Sequence, residues 1–309
     1  MGQNHGVSCS TGVQMALMKV LQIVLLSTCL FFSGQMVAND SSRFLQDSGN
    51  LALQQALEGV VLEQDLASAV DEHKLALVLL IVTDPERPRL AELNGHTMLY
   101  AASLPKIAIL LGAAVAIDDG RLELNQELQD DLDNMIRYSC NACATKVLEQ
   151  VGREELLAIL RSPRFEFYNQ NENGGLWVGK DYGPALAYGR DPLSGLSHGA
   201  TAFQAARFYY ELHKGVLVSP QQSQMMLRVL SNPGISHKFV KGLSAYPDLE
   251  IFRKSGTWKS FHADSALVRT AGLAYIMVAL ADNPKGAEWL ERLAAPLHEI
   301  ALLQNAKEN

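Results

Sequence analysis

A serine and a lysine stand three residues apart at the point where an apolar helical pattern begins. Ser103 and Lys106 enclose Leu104 and Pro105, and the apolar run 107–116 follows them. On a helix this spacing puts the hydroxyl and the amine on one face, about one turn apart. A lysine removed from water can lose its proton and act as a base towards the serine. The pair indicates an activated nucleophile for acyl transfer, with a simple N-cap as the alternative role of Ser103.

Two further motifs follow along the chain. Tyr138-Ser139-Cys140-Asn141 opens a second helical pattern, and Lys254-Ser255-Gly256-Thr257 closes a strand-like run that begins at Leu249. The series S-x-x-K, S-x-N and K-[ST]-G resembles the signature set of serine β-lactamases and penicillin-binding proteins. The likeness covers residues 75–302 and is greatest to the class A β-lactamases.

The resemblance implies how acylation would work. Ser103 would be the nucleophile and Lys106 the general base, while the backbone N–H groups of Ser103 and Thr257 would stabilise the oxyanion. Lys254 would help to keep the amine of Lys106 neutral through like-charge repulsion. Ser139 would pass the proton to the leaving nitrogen. A β-lactam ring would thus be opened through an acyl-serine intermediate.

The same resemblance implies a substrate-binding set. Asn141 would hold the amide side chain of the substrate through both of its hydrogen-bonding groups. Lys254, Ser255 and Thr257 would bind the carboxylate of a β-lactam or of a D-alanyl terminus. Gly256 would allow the close approach that binding at a strand edge needs. Neither a metal ion nor an organic cofactor is expected to take part.

The chain departs from the class A pattern in the loop that would deacylate the enzyme. Residues 161–199 contain no E-x-x-x-N, the element that carries the water-activating glutamate in that family. Glu166 and Glu172 are the glutamates of this loop, and Glu172 is our candidate for the deacylation base. Because Glu172 lies in a polar, Asn- and Gly-rich run, a solvated side chain is the alternative. Without a base the acyl-enzyme would hydrolyse slowly, which would favour a peptidase or a sensor.

The middle motif departs from the family as well. Cys140 stands where class A enzymes usually carry an aspartate, and the short separation of Ser103 from Ser139 predicts an abbreviated wall of the cleft. Cys143 follows Cys140 at helical spacing. We expect two small, half-buried helix residues, because no second Cys or His pair at ligand spacing supports a metal site. If oxidised, the two cysteines would stiffen the turn that carries Ser139.

A competing motif lies at Gly195-Leu196-Ser197-His198-Gly199, which satisfies the G-x-S-x-G pattern of a nucleophile elbow. That elbow must follow a buried strand, whereas Pro192 and the charged residues before it make a poor strand here. We therefore predict that residues 197–201 form a loop running into a helix.

Four aromatic and histidine side chains remain as candidates outside the motifs. Trp258, directly after the third motif, is a better candidate for a substrate contact than Trp177. His237 and His262 flank the same motif and are expected to be hydrogen-bonded surface groups.

The elements that must position these residues follow from periodicity. Strand patterns cover Leu75–Thr83 and Arg89–Tyr100 early in the chain. Strands return late, at Leu249–Lys254, Asp264–Arg269 and Leu273–Leu280. Helical spacing predicts these segments: Leu51–Ala69, Leu104–Asp118, Leu124–Arg137, Ala142–Glu149, Glu154–Leu160, Thr201–Lys214, Pro220–Ser231 and Gly286–Leu303. We predict an α+β fold, with an antiparallel sheet formed from both chain ends and packed with helices, plus an all-helical subdomain. The resemblance implies the same fold.

The first 38 residues have the features of an export signal. An apolar run, Val20–Phe32, follows Lys19, and small residues end at Ala38, which predicts cleavage there. Residues 1–17 contain no charged side chain, so Met18 is a candidate for the natural start. An uncleaved anchor is the alternative, although the run is short for a membrane span. Residues 39–309 are predicted to form one domain, periplasmic or secreted.

Charge restricts the partners of the mature chain. The formal net charge of the full sequence is −7. Removing the leader takes away the positive charge of Lys19, so the mature chain is more negative still. This balance argues against nucleic acid or acidic lipid as a partner. We expect a monomer without a stable membrane span that acts on small molecules. Class A-like β-lactam hydrolysis is the first hypothesis, with a D-alanyl-D-alanine peptidase and a non-turnover β-lactam or muropeptide sensor as alternatives.

Overall fold

A computed structural model describes residues 1–3 and 37–307 of the chain. The predicted leader, with its start at Met18 and with Cys9 and Cys29, falls almost entirely on residues outside the described ones, so it stays a prediction. Among the helices of the described ranges, none has both the length and the apolar character needed to cross a bilayer.

The amino-terminal part alternates short helices with the first strands. These elements are α1 (Val37–Gln46), α2 (Leu51–Glu63), α3 (Ala67–Asp71), β1 (Leu75–Ile81), β2 (Arg89–Leu93) and β3 (Leu99–Tyr100). The side chain of Asn50 caps α2 by accepting a hydrogen bond from the Leu53 N–H. The prediction of one helix over Leu51–Ala69 was wrong, because Asp65 has a left-handed φ of 58° and divides it into α2 and α3.

The middle of the chain is mainly helical, as the apolar spacing predicts. Its elements are α4 (Lys106–Asp118), α5 (Gln126–Arg137), α6 (Asn141–Val151), α7 (Arg153–Arg161), β4 (Tyr168–Asn169), β5 (Gly174–Gly175), β6 (Trp177–Val178), β7 (His198–Ala200), α8 (Ala202–Lys214) and α9 (Pro220–Leu230). Side chains of Asn125, Thr201 and Ser219 cap α5, α8 and α9. Helix α4 is buried from Lys106 to Ala116 and lies at the centre of this helical subdomain, against α5, α6, α7 and α9.

The carboxy-terminal part completes the main sheet. It consists of α10 (Phe239–Gly242), β8 (Glu250–Trp258), β9 (Phe261–Thr270), β10 (Leu273–Asp282) and α11 (Gly286–Ala306). The five strands are antiparallel in the order β2-β1-β10-β9-β8. Strand β1 pairs with β10 from Leu75 opposite Ala281 to Ile81 opposite Tyr275, so the two chain ends share one sheet. The predicted α+β fold is confirmed.

Both faces of this sheet are covered, and β1 shows why its sequence is apolar throughout. Leu75, Leu77 and Leu79 pack on one face with α2 and α11, whereas Val78 and Leu80 pack on the other, which α8 covers. A strand that is buried on both sides needs a continuous apolar run instead of alternation. The turn that precedes α4, at residues 101–104, meets the edge strand β8 at Gly256.

One connection differs from the prediction. Arg89–Leu93 pairs with β1 as expected, but Leu99–Tyr100 leaves that sheet and pairs with His198–Ala200, which also pairs with β6. The prediction of a loop over residues 197–201 was therefore wrong. Short strands rich in Gly and His carry no alternation, and tertiary pairing alone determines them.

Candidate active site

Ser103 lies in the turn between β3 and α4, partly exposed at the floor of a cleft of about 360 Å³. The turn starts at Ala102, whose φ is 50°, and helix α4 follows after Pro105. Pro105, not Ser103, is the N-cap residue, and the Ser103 hydroxyl makes no hydrogen bond to a described residue. The N-cap alternative for Ser103 is thus wrong, and the hydroxyl is free to meet a substrate in the cleft.

Gly256 is the point at which strand β8 touches the Ser103 turn. A Cβ atom at this position would lie 2.2 Å from the Ala101 carbonyl oxygen and 2.8 Å from the Ser103 backbone nitrogen. Any side chain would push the strand and the turn apart, so glycine is required for this contact within the protein, while its predicted role in substrate approach stays a prediction. Ser103 and Thr257 line the same cleft, with their backbones on either side of this contact. Such a pair of amides can stabilise an oxyanion.

Lys106 is fully buried at the start of α4, and the S-x-N motif surrounds its amine. Its Nζ donates to the Ser139 carbonyl oxygen at 2.7 Å and to Asn141 Oδ1 at 2.8 Å, with the Cys140 carbonyl oxygen at 3.3 Å. The ring centroid of Tyr182 lies 4.5 Å from the same nitrogen. Burial lowers the pKa of Lys106 to about 7. A large share of this lysine is therefore neutral near physiological pH, as a general base must be.

Ser139 lies between two buried lysines. Its Oγ is 3.1 Å from Lys254 Nζ and 3.5 Å from Lys106 Nζ, and its φ of 59° is uncommon for a residue with a side chain. Lys254 also donates to the carbonyl oxygen of Ser255 at 2.6 Å. Burial first, and then the charge of Lys106, lowers the pKa of Lys254 well below its usual value. The hydroxyl of Ser139 can therefore exchange protons with either amine.

Lys238 is a further buried cation at the site, to which the sequence argument assigned no role. Its Nζ donates to Thr257 Oγ1 at 2.8 Å, to the Gly256 carbonyl oxygen at 2.5 Å and to the Ala263 carbonyl oxygen at 3.0 Å. Burial lowers the pKa of Lys238 to about 8. No motif or periodic pattern marks this lysine, because a non-regular segment brings it under β8.

A buried ion pair holds that segment against the sheet. Arg253 donates from Nε and Nη2 to the two carboxylate oxygens of Asp264, each at 2.7 Å, and from Nη1 to the Ile235 carbonyl oxygen at 2.7 Å. The Phe239 N–H donates to the same carboxylate at 3.2 Å. A bidentate pair of this kind combines charge with fixed geometry, so it positions the chain around Lys238.

Of the two histidines that flank the third motif, His237 is half-buried and hydrogen-bonded, whereas the prediction of a surface group is wrong for His262, which is buried. Burial lowers the pKa of His237 to about 4, and its Nδ1 lies 3.1 Å from Nη2 of Arg253. His262 is 7% exposed, and its two ring nitrogens have no partner in the described part of the chain.

Trp258 is 56% exposed and lines the cleft, whereas Trp177 is buried in the core. The preference for Trp258 as the substrate contact fits these positions.

The opposite wall of the cleft consists of aromatic rings and His198. The His198 ring lies 4.3 Å from that of Tyr182 and 6.1 Å from that of Tyr100, measured between centroids. Its Nε2 donates to the Lys180 carbonyl oxygen at 3.0 Å, and burial lowers its pKa to about 4, so the ring is neutral. The sequence argument noticed His198 within the G-x-S-x-G match but did not assign it to this cleft.

Ser197 does not form a nucleophile elbow. It is 7% exposed and precedes strand β7, whereas an elbow serine follows its strand and starts a helix. The prediction that this motif match is fortuitous agrees with the structure.

The structure does not bring Glu172 or Glu166 to the cleft. Glu172 lies in the exposed turn between β4 and β5, and Glu166 accepts a hydrogen bond from Asn169 Nδ2 at 2.9 Å. The charges of both face Arg207 of α8, which donates to the Phe165 carbonyl oxygen. The later residues of the loop, around Tyr182, line the cleft instead. Glu172 is therefore not among the residues that line the cleft, so its position gives no support to its assignment as deacylation base, which stays a prediction.

Cys140 and Cys143 form a disulfide at the start of α6. Both residues are half-buried, as expected, and the disulfide is the oxidised alternative that the sequence argument left open. Cys140 is also the N-cap residue, because its Sγ accepts the N–H of Cys143 at 3.1 Å. Nowhere in the described ranges do three or more His, Cys, Asp or Glu side chains cluster as a metal site would require.

Comparisons with known proteins agree with this geometry. Residues 127–301, more than half of the chain, match the family model described as "Beta-lactamase enzyme family". A β-lactamase from Sphaerobacter thermophilus DSM 20745 superimposes with a TM-score of 0.61 at 16% identity, over 80% of this chain and 98% of that one. A PBP-A mutant in an acyl-enzyme complex with penicillin-G gives 0.59 at 18% identity, over 83% and 98%. A variant of the last common ancestor of Gram-negative class A β-lactamases gives 0.62 at 17% identity, over 80% and 99%. No curated protein sequence matches the chain significantly.

Proposed function

Because the chain belongs to the beta-lactamase enzyme family, we propose that it is a serine hydrolase that opens β-lactam rings through an acyl-enzyme on Ser103. The observation that carries the proposal is the convergence on one cleft of the nucleophile, two buried lysines and the serine between them. The distances of 3.1 Å and 3.5 Å from Ser139 Oγ to the two amines give a continuous path for protons.

The hydrogen bonds of Lys106 support its role as the base. A neutral amine has two N–H bonds and one lone pair. The two shortest contacts, to the Ser139 carbonyl oxygen and Asn141 Oδ1, use both N–H bonds. The lone pair is then left for the proton of Ser103, one helical turn away. With a pKa of about 7, the amine can take that proton without a large energetic cost.

The remaining steps of acylation follow from the same contacts. Ser103 Oγ bonds to the carbonyl carbon, and the negative charge develops on the carbonyl oxygen between the amides of Ser103 and Thr257. The C–N bond of the ring then breaks. The leaving nitrogen receives a proton through Ser139, which Lys106 or Lys254 resupplies across distances of 3.5 Å and 3.1 Å. The product is an ester on Ser103.

The substrate class follows from the charge of the cleft. Lys254, Lys238 and Lys106 are all buried beneath it, and the residues that line it include none with an acidic side chain. A free carboxylate next to the scissile amide, as in penicillins and D-alanyl peptides, would favour the protonated form of the nearest of these amines and pair with it. Thr257 would present its hydroxyl outward, because Lys238 already donates to its oxygen.

A slowly deacylating peptidase or penicillin-binding protein is the second candidate, and one observation favours it. The ring of Tyr182 covers Lys106 at 4.5 Å, and none of the described residues that line the cleft has a carboxylate to activate water. The neutral His198 is the nearest imidazole of the cleft wall, but its Nε2 is already bonded to a carbonyl oxygen. The likeness to PBP-A, which has been seen as an acyl-enzyme with penicillin-G, supports the same candidate. If the acyl-enzyme did not deacylate at all, the protein would act as a non-turnover sensor.

Export to the periplasm or the medium is part of the proposal. The apolar leader supports it, and so does the disulfide of Cys140 and Cys143, because such bonds persist in oxidising compartments. Amino-terminal sequencing of the exported protein is the test. A mature start near Asn39 is expected, and a full-length membrane-bound chain would contradict cleavage.

One experiment decides between the catalytic candidates. The purified protein is incubated with a fluorescent penicillin, and both the label on the protein and the release of hydrolysed product are followed. Turnover with little retained label is expected of a β-lactamase, and persistent label of a peptidase or sensor. Ser103→Ala should abolish labelling, while Ser197→Ala is the matched control and should leave it unchanged. Labelling that survives Ser103→Ala would overturn the proposal.

A further inference from the structure

The turn that carries Ser139 supplies every hydrogen-bond acceptor given above for the amine of Lys106. The carbonyl oxygens of Ser139 and Cys140 and the side chain of Asn141 lie 2.7, 3.3 and 2.8 Å from Nζ. The three residues are consecutive, and the first has a left-handed φ of 59°. The catalytic amine is therefore positioned by the short stretch of backbone that leads into the first residue of α6, and this stretch must be held in one conformation.

Helix α6 starts from the same turn, and its N-cap is unusual. Ser, Thr, Asp and Asn are the strong N-cap residues, because their side-chain oxygens accept the free N–H groups of the first turn. Here the cap residue is Cys140, whose sulfur is a weak acceptor, 3.1 Å from the Cys143 N–H. The covalent bond between Cys140 and Cys143 joins the same two residues, with their Cα atoms 5.4 Å apart.

We infer that the Cys140–Cys143 disulfide is a positioning element of the active site, which holds residues 139–141 around Lys106 in place of a strong N-cap. The sulfur atoms do not touch the reacting groups. They act through the backbone, by fixing the first turn of α6 and thereby the acceptors that orient the amine. The catalytic part of this inference rests on the proposed function of Ser103 and Lys106.

Reduction by an external dithiol is the change that removes this restraint. A thiolate of the dithiol attacks one protein sulfur, and its second thiol then displaces the mixed disulfide. The reagent ends as a cyclic disulfide, and Cys140 and Cys143 each end as a thiol, so two electrons and two protons pass to the protein. Both cysteines are partly exposed, which gives the reagent access.

The test compares oxidised protein with protein reduced by dithiothreitol, with reduction verified by the mass of two alkylated thiols. Acylation by a fluorescent penicillin is measured over a concentration range, which separates the limiting rate from the half-saturating concentration. We expect reduction to lower the limiting rate by about tenfold or more, because misplaced catalytic groups cost this much. The half-saturating concentration should change by less than about threefold, since the carboxylate-binding strand is untouched.

Two variants separate positioning from general loss of stability. Cys143→Ala should acylate as slowly as the reduced protein, and dithiothreitol should not change its rate. The double variant Cys140→Ser, Cys143→Ala should recover most of the acylation rate, because serine is a strong N-cap. Gln150→Gly weakens α6 at its exposed far end and serves as the matched control. It should keep both the wild-type rate and the response to dithiothreitol. Equal rates in oxidised and reduced wild-type protein, or a serine variant as slow as Cys143→Ala, would overturn the inference.

Amide hydrogen exchange tests the inference without any catalytic readout. Reduction should raise the exchange of segment 138–144 by about tenfold, while the buried helix α4 stays protected. Unchanged exchange of that segment would overturn the inference. If no β-lactam labels Ser103 in oxidised protein, the proposed function has failed, and the exchange result still decides whether the disulfide holds the turn.

Discussion

The hydroxyl oxygen of Ser139 lies 3.1 Å from the amine of Lys254, although the two residues are 115 positions apart in the sequence. This contact joins the helical subdomain to the edge strand of the main sheet. Since Lys106 approaches the same oxygen at 3.5 Å, Ser139 is the one hydroxyl shared by both buried amines. It is the natural point for proton delivery to a leaving nitrogen.

Removing this hydroxyl should slow acylation without preventing substrate binding. We expect Ser139→Ala to lower the limiting acylation rate by about 10²-fold, within the range known for general acid–base groups. Ser139→Gly is the matched variant, because it also lacks the hydroxyl but suits the left-handed φ of this position. Stopped-flow labelling should find both equally slow. A fast glycine variant would mean that backbone geometry, and not the hydroxyl, carries the effect.

The pKa of Lys106 predicts the pH dependence of acylation. Burial lowers this pKa to about 7, and only the neutral amine can accept the proton of Ser103. The acylation rate should therefore rise with pH through about 7 and level off above it. Lys106→Arg should remove this rise, because a guanidinium stays protonated. A wild-type rate that falls between pH 6 and 8 would rule out Lys106 as the base.

The same lowered pKa has a consequence for stability. In the unfolded chain the lysine titrates near 10.5, so between about pH 7 and 10.5 the unfolded state binds more protons than the folded state. The contribution of Lys106 to the free energy of unfolding should therefore become less unfavourable as pH rises through this window. Urea unfolding at pH 7 and pH 9 should show a smaller gain for Lys106→Met than for the wild type. Equal gains would show that burial does not perturb this lysine.

The contact at Gly256 predicts a severe effect of one methyl group. A Cβ atom there would meet backbone atoms of Ala101 and Ser103, which cannot rotate away as a side chain can. Gly256→Ala should abolish penicillin labelling and lower the melting temperature. Gly59→Ala is the control, because its Cβ would meet nothing within 4 Å and alanine is the better helix former. That variant should label normally and be at least as stable as the wild type.

The motifs and the sheet were predictable because they depend on local patterns. Ser103, Lys106, Ser139, Asn141 and Lys254 could be named because their three motifs resemble the signature set of a known family, and the structure brings them together. Glu172 could not be judged in this way. Its residue type and its loop match expectation, but the pairing of Tyr168–Asn169 with Gly174–Gly175 turns it outward.

Lys238 and His198 were missed for the opposite reason. Each is brought to the cleft by tertiary contacts from a short or irregular segment, without a periodic pattern in the sequence. The disulfide was ambiguous as well, because a separation of three residues suits both a bonded pair and two separate helix positions. Only the proximity of the two residues in the fold distinguishes them.

Glu172 now leads to a different expectation for deacylation. Because its side chain lies in an exposed turn outside the cleft, Glu172→Gln should leave the hydrolysis of the acyl-enzyme within about twofold of the wild type. Glu166→Gln, which can still accept the hydrogen bond from Asn169 but loses the charge that faces Arg207, should alter stability more than catalysis. Trapped acyl-enzyme in Glu172→Gln, measured by intact-protein mass spectrometry, would show that the loop rearranges to bring this carboxylate to Ser103.

Lys180 predicts a preference for substrates with a second negative charge. It lines the cleft in a half-buried position, and the other residues that line the cleft include none with an acidic side chain. A penicillin with an additional carboxylate on its side chain should therefore acylate the protein faster than benzylpenicillin at equal concentration. The advantage should be about threefold to tenfold, as for a partly screened ion pair, and should shrink at high salt. Lys180→Met should remove it, whereas the exposed Lys259→Met, at the rim beside Trp258, should preserve it. If Lys180→Met leaves the ratio of the two acylation rates unchanged, the additional charge is not recognised by this lysine.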